Sequence, residues 1–280
     1  MLLPLNIILT RPTHESLNWL EGLERAGYSA VNWPLIEITP INPAESGKDN
    51  AQVFNKLDTF DAMVFVSSAA VEHFFHALIQ TQGLKKFQAQ CSKCWATGPG
   101  TAQALLKHGV PESQIVSPPA NAAQFDSPQL WEISKHLLKP GERVLFVRGL
   151  DQPTTRAASL QHVPATDKAP TGSQWLMSQL HQSGVLVSEI AVYKRSAPRW
   201  SEEQKLKIQQ TFNAQSIWIF SSSLSLEHLG SLLPHQDWSK GRSIATHDRI
   251  AQTAVAMGWG VVKASRPTLS DVLTSLKSFN

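Results

Sequence analysis

Hydroxyls, glycines and arginines gather at six places in this 280-residue chain. They are Arg11, Ser67-Ser68 with the following Ala69, Gly98-Pro99-Gly100-Thr101, Arg148, Ser222-Ser223 and Thr246. Guanidinium groups, Ser/Thr hydroxyls and the backbone N–H groups at helix starts share one preference, for carboxylate or phosphate oxygens. Collected, these residues would make a cradle for an anion. A plainer reading stands beside this one. Ser or Thr ahead of a helix is most often an N-cap worth about 1 kcal/mol, and a cap would be duplicated along with any repeat.

Other chemistries find less support. Neither VSSAA nor SSSLS contains the G-x-S-x-G elbow of a serine hydrolase. Gly98 to Thr101 is a glycine-rich turn into a helix, but it lacks both the P-loop lysine and the G-x-G-x-x-G spacing. Glu72-His73…His76 does not follow the H-E-x-x-H pattern, and its counterpart Glu227-His228 has no second histidine, so a solvated helix face is the expected reading for both. Cys91 and Cys94 form a single C-x-x-C without a second pair, expected as two plain thiols in a loop before a strand, in keeping with a reducing cytosol. A net charge of +3 without a Lys/Arg block argues against nucleic acid and suits a small anion. The opening MLLPLNIILTRP lacks a basic leader and reads as a first strand, and no apolar run approaches the ~18 residues of a membrane span. The expected protein is soluble and cytoplasmic.

The elements that position these residues repeat. FVSSAAVEH (65–73) returns as FSSSLSLEH (220–228), and ATGPGTAQ (96–103) returns as ATHDRIAQ (245–252), in the same order. In each copy a short apolar run, DAMVFV (61–66) or SIWIF (216–220), predicts a strand covered on both faces. After the serines, Val71, Phe74, Phe75 and Leu78 recur at helical spacing, as do Leu226, Leu229 and Leu233. Ala102, Leu105 and Leu106 predict one face of the next helix. A third pair of units completes the pattern. NIILTRP leads to a helix with Leu17, Leu20 and Leu23, then Gly27 and YSAVNW; RVLFVRG leads to a helix with Trp175, Leu176 and Leu180, then Gly184 and VLVSEIAVY. Arg11 and Arg148 thereby fall at equivalent strand ends.

Alternating strands and helices predict an α/β protein: two similar parallel-sheet lobes, one inserted into the other, joined by a two-stranded linker with a cleft between. Residues 1–37 plus 197–280 form the discontinuous domain and 38–196 the inserted one. The linkers lie near 33–43, which is Pro-rich, and 189–198. A segment of some two dozen residues after Gly149, rich in Thr, Pro, Ala and Ser, fits neither repeat; it is a functional flap or a disordered stretch.

Six motifs taken together resemble the uroporphyrinogen-III synthase family: LTRP (9–12), FVSSAAV (65–71), TGPGTAQAL (97–105), VLFVRG (144–149), AVYKR (191–195) and FSSSLSL (220–226). The resemblance implies an enzyme of haem biosynthesis, a cyclising lyase. Such enzymes close hydroxymethylbilane, a linear tetrapyrrole with an acetate and a propionate on each ring, inverting the last ring and losing water without metal or organic cofactor. It implies substrate contacts at Arg11, Ser67, Ser68, Ala69, Gly98, Gly100, Thr101, Arg148, Ser222 and Ser223. It makes Tyr193 the general acid that helps hydroxide leave, since a phenol keeps its proton at neutral pH. It also implies a monomer, and it allows a transient contact with the enzyme that produces hydroxymethylbilane. Two departures stand out: the second glycine-rich turn is replaced by THDR (246–249), with Ile250 at the position of Thr101, and the Arg expected after the RG pair is displaced, Arg156 being a candidate replacement that is not carried over to the site. A two-lobed binding protein for a carboxylate-rich molecule and a non-catalytic homologue remain as alternatives.

Overall fold

The computed structural model describes residues 5–41, 53–81, 87, 93–119, 127–151, 172–213 and 215–279. In chain order the elements are β1 (Asn6–Leu9), α1 (Thr13–Arg25), β2 (Ser29–Asn32), β3 (Glu37–Pro40), β4 (Ala62–Phe65), α2 (Ser68–Gln80), β5 (Lys93–Ala96), α3 (Pro99–Lys107), β6 (Ile115–Val116) and α4 (Ser127–Ser134). There follow β7 (Arg143–Asp151), α5 (Gly172–Gln182), β8 (Leu186–Ser196), α6 (Glu202–Gln209), β9 (Ser216–Phe220), α7 (Ser223–Leu232), β10 (Arg242–Ala245), α8 (Asp248–Met257), β11 (Val261–Ala264) and α9 (Leu269–Lys277). The described parts of Met1–Ile38 and Arg195–Asn280 form one compact unit; those of Thr39–Asp151 and Pro164–Lys194 form another.

The strands make two sheets. Their orders are β11-β10-β9-β1-β2 and β3-β8-β7-β4-β5-β6. Read from β2, the first sheet runs β2-β1-β9-β10-β11; past β3, the second runs β8-β7-β4-β5-β6. The two copies of the repeat therefore share one strand order. Their registers agree as well. Phe65 pairs with Val147 on one side and Ala96 on the other, and all three strands are parallel. In the first sheet Leu9 pairs with Ile219 and Ala245 with Phe220, again in parallel. One residue beyond Phe65 and Phe220, Arg148 and Thr97 flank Val66 as Arg11 and Thr246 flank Ser221, so the polar residues fall at matching positions.

Strand side chains alternate between faces, and both faces of the first sheet are covered. Ile8, Trp218 and Phe220 point to a core with Leu226, Leu229, Ile250, Ala254 and Trp259. Ile7, Leu9, Ile217, Ile219 and Ile244 point to another with Leu23, Val272 and Leu276. That is why these strands read as unbroken apolar runs. In the second sheet Val64, Trp95, Val144 and Phe146 pack on Leu130, Leu176 and Leu180, while Phe65 meets Phe74 edge-on at 5.3 Å. The glycines that end the equivalent helices, Gly27 with Gly184 and Gly109 with Gly258, all take positive φ, a left-handed turn that glycine adopts without steric cost.

Within the stretch 33–43, Glu37–Pro40 lies beside β8 in the six-stranded sheet as β3, and Leu35 and Ile36 before it are buried. Other expectations are corrected. Leu17, expected on the buried face of its helix, is exposed. In α1 that face runs through Ser16, Trp19, Leu20 and Leu23, and steps of three residues from Leu17 drift off it by about 60° each. Likewise α3 buries Thr101, Ala104 and Leu105, and Leu106, one position on, faces out. Cys94 lies within β5 and is buried, not in a loop before it. Cys91, Arg156 and nearly all of the segment after Gly149 lie outside the described residues.

Candidate functional site

The paired serines stand where strand gives way to helix. Ser67 has extended backbone and caps α2, its Oγ accepting from the Ala70 N–H at 3.1 Å. Ser222 caps α7 in the same way, accepting from the Leu224 N–H at 3.2 Å. The capping role is thus real in both copies. It also leaves the amides of Ser68 and Ala69, at the first turn of α2, without an acceptor among the described residues. A helix start with two such donors favours a carboxylate. Ser223 is tied to the neighbouring helix, its Oγ accepting from the Thr253 hydroxyl at 3.3 Å.

The glycine-rich turn is built differently in the two copies. Gly98 occupies the N-cap of α3 with Pro99 next, and contributes no side-chain cap. In the second copy His247 takes that position and accepts through Nδ1 from the Arg249 N–H at 3.1 Å. THDR therefore supplies the cap that glycine omits. Thr101 and Ile250, which occupy the same place in the repeat, are both buried. The place is one of packing, so Ile250 takes no exposed hydroxyl away. By contrast a Cβ on Gly100 would meet nothing within 4 Å, which leaves room beside the first turn of α3.

The two arginines differ. Arg11, just past β1, lies with its guanidinium 4.1 Å from the centre of the Trp19 ring and 3.7 Å from Glu15. Burial pushes it below the ordinary arginine value, and the nearby Glu15 carboxylate offsets this only in part. Arg148 is not at a strand end: β7 continues to Asp151, and the Arg148 Nε pairs with Glu189 of β8 at 2.5 Å. The repeat does not reveal Glu189 as an ion-pair partner, because the residue at its place in the first copy is the uncharged Asn32, which donates to the Arg11 carbonyl at 3.1 Å.

Tyr193 lies in β8 and is 2% exposed. Its hydroxyl is 3.1 Å from Ser67 Oγ, and its ring lies 5.5 Å from that of His73 at a 32° tilt. Gly149 of β7 sits under the ring. Three separate motifs, FVSSAAVEH, VLFVRG and AVYKR, thus converge on one phenol. His73, expected on a solvated face, instead packs against Tyr193. Its counterpart His228 departs further, fully buried with Nδ1–H donating to the Leu35 carbonyl at 2.6 Å. Glu72 contacts His108 Nε2 at 2.8 Å, and no group of three His, Cys, Asp or Glu suited to a metal occurs among the described residues. Nor, among them, is any helix long and apolar enough to cross a membrane.

Comparison with known proteins agrees on one family. The profile of the family described as "Uroporphyrinogen-III synthase HemD" matches residues 18–162. A relative from Chlorobaculum parvum (strain DSM 263 / NCIMB 8327), named uroporphyrinogen-III synthase, is 27% identical over 204 residues, covering 72% of this chain and 68% of that protein. Among solved structures, uroporphyrinogen-III synthetase from Helicobacter pylori 26695 superposes with a TM-score of 0.58 at 16% identity, covering 98% of this chain and 99% of that one. A mutant uroporphyrinogen III synthase from the extremely thermophilic bacterium Thermus thermophilus gives 0.56 at 14% identity, with 98% of each chain covered. The two structural likenesses bear on the fold.

Proposed function

The chain belongs to the uroporphyrinogen-III synthase family, and we propose that Tyr193 and the anion-binding turns described above carry out that family's reaction here. The protein is an enzyme of tetrapyrrole biosynthesis, a cyclising lyase. The observation that carries this reading is the family match across residues 18–162, a stretch that contains Ser67, Gly98, Thr101 and Arg148. Its substrate is hydroxymethylbilane, with carboxylates on every ring of a flexible chain. Left alone the molecule closes without inverting its last ring, so the enzyme must above all impose a conformation.

In the unit that holds Tyr193, the free amides of Ser68 and Ala69 and the open space beside Gly100 suit substrate carboxylates; in the other unit the Arg11 guanidinium is a group of the same preference. Tyr193 acts as the general acid. Its proton goes to the terminal hydroxyl, the C–O bond breaks with electrons pushed from the pyrrole nitrogen, and water departs. The azafulvene cation is then attacked by the substituted carbon of the last ring, and the spiro intermediate fragments and recloses. The proton lost from that ring on closure restores the phenol, so the donor is regenerated. Substrate must reach the covered hydroxyl; within the same unit the groups around Tyr193 include Ser67, His73 and Gly149.

In this reading the chain works as a monomer in the cytoplasm. Transient contact with the enzyme that makes hydroxymethylbilane would shorten the time in which the substrate can close by itself. The reading as a binding protein without chemistry is not favoured, since the family match is to an enzyme. Turnover of freshly made hydroxymethylbilane tests the assignment of the acid. Tyr193→Phe, which removes the hydroxyl with its proton and keeps the ring, should lower kcat by about 10²-fold, in the range of general acid catalysis; a kcat equal to the parent's would remove Tyr193 from the mechanism.

A further inference from the structure

Ser67 and Ser222 hold the same position in the repeat, yet of the two only Ser67 makes a second side-chain contact among the described residues, the one to Tyr193. A serine hydroxyl has one proton and two lone pairs. At Ser67 one lone pair is occupied by the Ala70 amide, and the remaining neighbour is the phenol oxygen 3.1 Å away. We propose that Ser67 is a positioning residue for Tyr193: its hydroxyl, accepting from the first turn of α2, donates to the Tyr193 oxygen and leaves the phenol's own proton directed at the substrate's departing hydroxyl. The inference rests on the reading of Tyr193 as general acid.

The chain of donors runs one way. The amide polarises the serine, and the serine's donated hydrogen bond stabilises the negative charge that develops on the phenol oxygen as its proton leaves. The start of α2 carries partial positive charge of the helix dipole and reinforces the same polarity. When the ring proton lost on closure returns to the phenol oxygen, the Ser67 bond persists and the cycle closes without a net change at Ser67. Carboxylate binding in this copy is left to the amides of Ser68 and Ala69. The Ser67 side chain, with both of its contacts made inside the protein, binds no carboxylate.

A double-mutant cycle on the full chain, with hydroxymethylbilane as substrate, separates this role from substrate binding. In the parent, Ser67→Ala should lower kcat about tenfold with KM changed less than about threefold, and Ser67→Thr, which keeps the hydroxyl and the cap, should recover most of the loss. In a Tyr193→Phe background Ser67→Ala should have no further effect on kcat. An equal loss in both backgrounds, or a change confined to KM, overturns the inference while leaving Tyr193 as the acid. If Tyr193→Phe alone keeps full kcat, the acid assignment fails and this inference fails with it. Ser67→Gly removes the hydroxyl while retaining a tolerated N-cap residue, and replaces Ser67→Ala in the cycle if that variant does not fold.

Discussion

A Cβ built on Gly149 would lie 2.4 Å from ring carbons of Tyr193 and 2.9 Å from its hydroxyl oxygen. The glycine in the VLFVRG motif is therefore the clearance that lets the phenol lie across β7 and reach Ser67. Gly149→Ala should force the ring aside. We expect a loss of about 1–3 kcal/mol in denaturant unfolding, the usual cost of overpacking, together with a fall in kcat larger than the stability loss explains. Recovery of normal kcat in Gly149→Ala would mean that the ring position is not needed for turnover.

Arg11 is predicted to cost stability. Burial lowers its folded-state value below that of the unfolded chain, so the protonated guanidinium is disfavoured by folding. The penalty is fully present at every pH below the folded value and fades only as pH rises toward the unfolded one, in the strongly alkaline range. Arg11→Met should therefore be neutral or stabilising by about 1–2 kcal/mol, uniformly from about pH 5 to 9 in thermal unfolding. The same variant should raise KM if Arg11 holds a substrate carboxylate.

Gly100 offers the converse test. An added methyl group meets no neighbour, and the position is the second of α3. Gly100→Ala should stabilise by about 0.5–1 kcal/mol through the unfolded chain's reduced freedom. A rise in KM alongside higher stability would mark the open space as the substrate's; unchanged KM would show that substrate does not enter it.

His228 should be structural. Its bond to the Leu35 carbonyl joins α7 to the segment that enters β3. His228→Leu leaves that carbonyl without its donor and should cost about 1–3 kcal/mol in chemical denaturation, with kcat of the folded fraction little changed. Loss of kcat without loss of stability would argue instead for a part in the chemistry.

The repeat is legible because a strand-to-helix turn demands the same residues wherever it occurs: an apolar run, a capping serine, then apolar residues at helical spacing. Ser67, Ser222 and the strands around them follow from that demand. What local pattern hides is the face chosen within a helix and the partner chosen across the sheet. Leu17 and Leu106 satisfy a spacing and still point outward, because the buried face is selected by what α1 and α3 pack on. His228 reads as polar surface until its buried carbonyl partner, almost two hundred residues away in the chain, is known. The site divides in the same way. Tyr193 follows from resemblance, whereas its contacts with Ser67, His73 and Gly149 depend on β8 lying beside β7 and β7 beside β4, which pairing alone decides. Glu189, across from Arg148, is invisible in the sequence for that reason.

Ring closure with inversion is the activity on which everything else rests. Freshly prepared hydroxymethylbilane supplied to the purified protein, with the product isomers resolved by chromatography, shows it or its absence. The type III isomer should form, faster than spontaneous closure. Type I isomer alone, at the rate of the protein-free control, would mean that this chain does not direct the closure.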